Sequence, residues 1–99
     1  MMKLTVLYGA PADEAAFDEH YEGVHAPLAR KIPGLQRFEH GKPTTLDGSS
    51  SPYYLMAELC FDNAAEFGAA MASPEGQETA ADIDNFATGG ATMLLTEVA

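Results

Sequence analysis

The chain of 99 residues carries 15 acidic and 5 basic side chains, a net charge of −10, and 46% of it is hydrophobic. That length holds one domain, 1–99, with a core of its own but little surface to spare for burial. All five basic residues (Lys3, Arg30, Lys31, Arg37, Lys42) fall in the first 42 positions. Such a surface repels phosphate backbones and anionic bilayers, so neither nucleic acid nor membrane is an expected partner. No apolar run approaches the ~18 residues of a bilayer-spanning helix, and the start lacks the long apolar region of a secretory signal. The expectation is a cytoplasmic protein. Cys60, the only cysteine, excludes an intrachain disulfide and a cysteine-based zinc cluster and reads as a small buried hydrophobe.

Lys3 to Tyr8 is β-branched and apolar, and it stops at Gly9-Ala10-Pro11, which marks a first strand. Asp13 suits a helix cap, and Phe17, Tyr21, Val24 and Leu28 then recur at helical spacing as one apolar stripe. Pro27 lacks an N–H and disfavours helical geometry at Ala26, which predicts a break or kink near Val24–Ala26. Ile32-Pro33-Gly34 ends the helical region in a turn. Leu35 to Lys42 reads as a second strand, Pro43 to Pro52 as a flexible connection, and Tyr53 to Phe61 as a third strand. Asn63-Ala64-Ala65-Glu66 has capping-box spacing and opens a helix whose Phe67, Ala70 and Met71 share a face. Ser73 caps a further helix that Pro74 starts and that runs to about Asn85. Gly89-Gly90 interrupts the chain, and Thr92 to Val98 is the last strand.

The order β-α-β-β-α-β predicts an α+β class: a ferredoxin-like antiparallel sheet with its helices on one face. The third strand is apolar on both sides, with Tyr53, Leu55, Leu59 and Phe61 on one and Tyr54, Met56 and Cys60 on the other. Helices shield one side only, so a second sheet from an identical chain is the expected cover, making a homodimer.

Phe17-Asp18-Glu19-His20-Tyr21-Glu22-Gly23-Val24-His25-Ala26-Pro27-Leu28, followed by Pro33-Gly34-Leu35, resembles the signature of the EthD family. Ser73-Pro74-Glu75-Gly76 and Asn85-Phe86 are similar to that family's second half. The resemblance spans nearly the whole chain. It implies a dimeric α+β barrel and, through the family name, a link to ethyl tert-butyl ether degradation. Relatives on the same architecture include monooxygenases and isomerase-, cyclase- and dehydratase-like proteins, so the fold does not choose the chemistry.

His25 is the residue expected to carry chemistry, because imidazole exchanges protons near neutral pH. It serves equally as a brace that bonds a backbone group at the proline-induced break. Tyr8, Phe17, Tyr21, Phe38, Tyr54 and Phe86 are the expected lining of a site for a small organic ligand, with packing as their alternative role. His20 precedes His25 by five residues, a spacing that does not place two rings on one face of an α-helix. His40 sits on the second strand. No zinc-type spacing appears, so neither a metal nor another cofactor is expected. Glu58 interrupts an apolar strand and is expected to pair with Arg37 or to reach solvent. Three functions remain open: a cofactor-free enzyme or binder, a non-catalytic dimerisation or carrier module, and a metal-dependent oxygenase that would need two histidines to converge.

Overall fold

Proline at position 27 sets the shape of the first helical region in the computed structural model, which describes all 99 residues. An α-helix would place the Pro27 ring against the carbonyl of Gly23, four residues back. The chain stays helical there, and the expected break takes the form of a change of helix type. Helix α1 (Glu14–His20) instead widens into a single π-turn (Tyr21–His25), closed by the Ala26 N–H on the Tyr21 carbonyl, and narrows again into α2 (Ala26–Arg30). The extra residue in that turn shifts the buried face. Phe17, Tyr21, His25, Ala26 and Ala29 point inward, whereas Val24, expected in the apolar stripe, is 44% exposed.

The remaining elements are β1 (Met2–Tyr8), β2 (Arg37–Gly41), β3 (Leu55–Phe61), α3 (Ala64–Ala72), α4 (Pro74–Asp82), a 3-10 turn (Ile83–Asn85) and β4 (Ala91–Glu97). Asp13, Asn63 and Ser73 cap α1, α3 and α4, each accepting the N–H three residues on. Gly34 takes the positive φ, 81°, that the turn before β2 requires. The segment between β2 and β3 is held by its own polar groups: Ser49 donates N–H and hydroxyl bonds to Asp47, and Thr45 bonds the Ser49 carbonyl.

The four strands run β2-β3-β1-β4, every neighbouring pair antiparallel. This is the ferredoxin-like α+β arrangement. Pairing places Leu4↔Leu59, Val6↔Ala57 and Tyr8↔Leu55 in register on the helix side, with Phe38 opposite Leu59. These residues meet Phe17, Tyr21, Ala29, Ile32, Ala70 and Phe86 from the helical layer in one core. Ala57, not Tyr53, completes the inward row of β3.

No helix covers the other sheet face. It carries Leu7, Met56, Cys60 and Leu94 among Lys3, Thr5, Arg37, Glu39 and Glu58, a more mixed surface than two apolar sides. Glu58 lies directly opposite Glu39, an unfavourable like-charge pair. Each acid is neutralised from its own side: Lys3 reaches Glu58 at 3.2 Å and Arg37 takes Glu39 at 2.9 Å. The expected Glu58–Arg37 pair therefore gives way to Glu58–Lys3, because Arg37 meets Glu39 two residues along its own strand. Tyr54 precedes β3 and turns to the helix side, so it is no part of the open face. Met93, Leu94 and Leu95 on the edge strand are about half exposed.

Packing between α3 and α4 rests on a missing side chain. A Cβ on Gly76 would stand 2.0 Å from the Ala70 carbonyl oxygen, whereas one on Gly68 would meet nothing within 4 Å. Gly76→Ala should cost roughly 2 kcal/mol or more through overpacking. Gly68→Ala should add about 0.5–1 kcal/mol through helix propensity. Urea denaturation of the two variants measures both, and similar midpoints would contradict this packing.

Candidate functional site

Asp82 ends α4, where the helix dipole opposes a carboxylate, and it is buried. A charge in that position needs donors. Three side chains supply them. His20 brings Nε2 to 2.9 and 3.0 Å from the two carboxylate oxygens, His25 brings Nδ1 to 2.9 Å, and Asn85 donates Nδ2–H at 3.0 Å. Burial alone would raise the Asp82 carboxyl, but the bonds from Asn85, His20 and His25 outweigh it and hold it below its usual range. Asp82 is therefore ionised near neutral pH, and both imidazoles donate to it.

The π-turn explains why two histidines five residues apart share one acceptor. Residues i and i+5 align across a π-turn as i and i+4 do across an α-turn. His20 and His25 lie at the two ends of that turn, so the expectation that they could not share a face fails for a local reason. His20 keeps its side chain partly in solvent and stacks on Phe86 with ring centres 5.2 Å apart. His25 is 4% exposed and packs between Phe86 (4.8 Å) and Tyr21 (5.3 Å). Desolvation lowers its proton affinity, opposed by the bond to Asp82, and the lowering wins. His25 is thus held neutral, with Nδ1 carrying the proton and Nε2 the lone pair.

Beside His25 lies a cavity of about 50 Å³ between α2, α4 and the sheet. Its walls are apolar: Leu4, Val6, Ile32, Ala57, Leu59 and Ile83 among them. Tyr8 and Tyr21 also line it, and their hydroxyls, like His25 Nε2, have no partner within the chain. No fully buried side-chain nitrogen or oxygen is left unpaired, so each of these three atoms keeps an opening. Burial raises the Tyr8 phenol, helped by Tyr21 and Asp82, and burial likewise raises Tyr21 against the pull of Arg30. Both phenols remain donors at neutral pH.

Of the expected lining residues, Tyr8, Tyr21 and Phe38 border the cavity with His25. Phe17, Tyr54 and Phe86 stand behind it. Phe17 stacks on Tyr21 at 5.9 Å, meets Phe86 at 5.1 Å and takes the edge of Tyr54 at 5.2 Å. Tyr54 gives its hydroxyl to Asp18 at 2.9 Å, an acid that Lys42 also bonds at 2.9 Å. His40 lies apart from the other two histidines, edge-on to Tyr21 at 5.1 Å. No group of three or more His, Cys, Asp or Glu side chains is arranged to hold a metal ion.

Sequence reasoning missed Asp82 and Asn85. A signal was present, since Thr79, Asp82, Ile83 and Phe86 recur at helical spacing and make Asp82 an acid on an inward face.

Sheet order, helix placement and the uncovered sheet face define the class: a ferredoxin-like α+β domain of the kind found in dimeric proteins. The EthD domain model matches residues 10–90, and the chain belongs to the EthD family. It is 53% identical over 97 residues to an uncharacterized 11.0 kDa protein in the thcB-thcC intergenic region of Rhodococcus erythropolis, covering 98% of this chain and 94% of that one. An EthD family protein of Bacillus halodurans C-125 is 38% identical, with 100% and 99% coverage and a TM-score of 0.93. A dimeric ferredoxin-like protein of Jannaschia sp. CCS1 shares 26% identity, with 99% and 100% coverage and a TM-score of 0.67.

The pKa directions set a stability profile. His25 has a lowered folded value, so its contribution is complete above the ordinary histidine value near 6.5 and is lost as pH falls below it. Asp82 is also lowered, and its contribution disappears only as pH falls through the carboxylate range. Urea midpoints should therefore fall between pH 7 and pH 5, and His25→Gln should flatten that segment. An unchanged slope in the variant would show that His25 does not couple to folding.

Proposed function

We propose that the chain binds a small, largely apolar organic molecule beside His25, and that His25 Nε2 handles a proton there without a resident cofactor. The observation that carries this reading is a buried imidazole, fixed through Nδ1 by an ionised carboxylate, on a side chain that lines an apolar cavity. That arrangement orients a general base and stabilises the imidazolium it becomes. Tyr8 and Tyr21 supply two donors beside it, suited to an oxygen that gains charge as the base takes a proton. Isomerisation, cyclisation, dehydration or cofactor-free oxygenation of an ether, aromatic or polyketide-type compound each begin with such a proton movement.

The cavity's present volume is well below the ~300 Å³ at the lower end of ligand pockets. A ligand therefore enters by displacing side chains. Met71 and Met93 both border the space, and methionine repacks readily. The same small volume favours the second reading, a non-catalytic dimerisation or carrier module in which His25 only braces the fold.

Turnover of a panel of small aromatics, ethers and β-dicarbonyl compounds separates the two. His25→Asn should lower the rate by about 10²–10⁴, the range for a general base, and should also lower the urea midpoint at pH 8, because the ring packs in the interior and its Nδ1 donates to buried Asp82. Because the working form is neutral His25, the wild-type rate should fall on the acid side as that ring is protonated. No turnover with any compound, together with a large loss of stability in His25→Asn, would leave the brace.

The functional unit we propose is a homodimer joined through the uncovered sheet face, in a cytoplasmic setting. The support is the half-exposed Leu94 on that face, the apolar Leu7 and Met56, and a relative described as dimeric. Sedimentation should give twice the chain mass for wild type. Leu94→Lys, which sets a charge into the joint, should shift the population toward single chains. A wild-type monomer at micromolar concentration would overturn the assembly.

A further inference from the structure

Acids outnumber bases three to one in this chain, yet two cationic or cation-capable side chains near the cavity have no acidic partner. Lys3, Arg37 and Lys42 are paired with Glu58, Glu39 and Asp18. Arg30 and its exposed neighbour Lys31 are in no ion pair. The Arg30 guanidinium lies 5.5 Å from the centre of the Phe38 ring, which walls the cavity on the β2 side. His40 approaches the same ring at 5.3 Å and meets Tyr21, another wall residue, at 5.1 Å. It makes no hydrogen bond within the chain, and both residues are exposed. Arg30 also acts electrostatically on the Tyr21 phenol, another group of the cavity wall.

Two exposed donors without acidic partners thus lie against one aromatic wall of the cavity, in a protein whose surface otherwise repels anions. Arg presents a fixed fork of N–H groups that matches a carboxylate, and histidine offers a ring N–H whether neutral or charged. Resting on the reading of the cavity as a ligand site, we propose that its ligand is an apolar carboxylic acid, whose carboxylate is received by Arg30 and His40 at the β2 edge while its hydrocarbon part enters beside Phe38. The surrounding acids then discriminate against anions that lack the apolar part, because only burial of that part offsets the general repulsion.

Benzoate and benzamide are planar, nearly isosteric and differ in charge. Each is titrated into the full-length protein at pH 7.5 while amide shifts of Ala29, Ala57 and Thr79 are followed by NMR. Wild type should bind benzoate about fivefold or more tightly than benzamide, as expected for a charged hydrogen bond. The difference should shrink in high salt. Arg30→Gln and His40→Gln, both at exposed positions, should each reduce the preference, and the double variant should abolish it. Benzamide affinity should fall less than benzoate affinity in all of them, and Arg30→Lys should restore part of the preference. Equal binding of the two compounds to wild type, or a preference untouched by the double variant, overturns the carboxylate assignment and leaves the cavity reading standing. Failure of both compounds to shift any of the three amides removes the cavity reading and this assignment with it.

Discussion

A carboxylate withdrawn from water at the negative end of a helix is stable only where other groups replace its hydration. Asp82 obtains that replacement from His20 and His25 across the helical layer and from Asn85 one turn on. The result is a fixed joint between the α1–α2 region and α4, two elements that otherwise meet mainly through apolar side chains. The joint needs the π-turn, because an uninterrupted α-helix would carry His25 away from the face that His20 occupies. Pro27 makes the wider turn favourable. One residue without an N–H, two residues further along, thus determines which side chain reaches the interior.

His25 need not be either a brace or a base. Its two nitrogens face different surroundings. Nδ1 is committed to Asp82 and fixes the ring, whereas Nε2 has no partner within the chain. The same bond that ties the helices together also selects the tautomer. Behind the ring, Tyr8, Phe17, Tyr21 and Phe86 form a cluster with centres 5.1–5.9 Å apart, which leaves the imidazole little room to rotate.

Much of this was legible from local sequence. The three side-chain caps, the turn at Gly34 and the apolar rows of β1 and β3 follow from residues within a few positions of one another. The EthD-like segments around His25-Ala26-Pro27-Leu28 and Ser73-Pro74-Glu75-Gly76 pointed to the family that the comparisons established. Errors fell where a local rule was overridden. Val24 was expected inside because the stripe was counted at 3.6 residues per turn through a segment that runs wider. Glu58 pairs with Lys3 and not with Arg37, because Glu39 lies closer on Arg37's own strand.

Chain order and capping are determined by the sequence by itself, since each depends on near neighbours. Only the tertiary structure decided that His25 meets an acid 57 residues away, that His20 shares it, and that Tyr8, Tyr21 and Phe38 border the cavity while Phe17, Tyr54 and Phe86 stand behind it. The physical reason is that burial and desolvation are properties of the packed layers. No short window of residues contains both partners of a contact that closes across them.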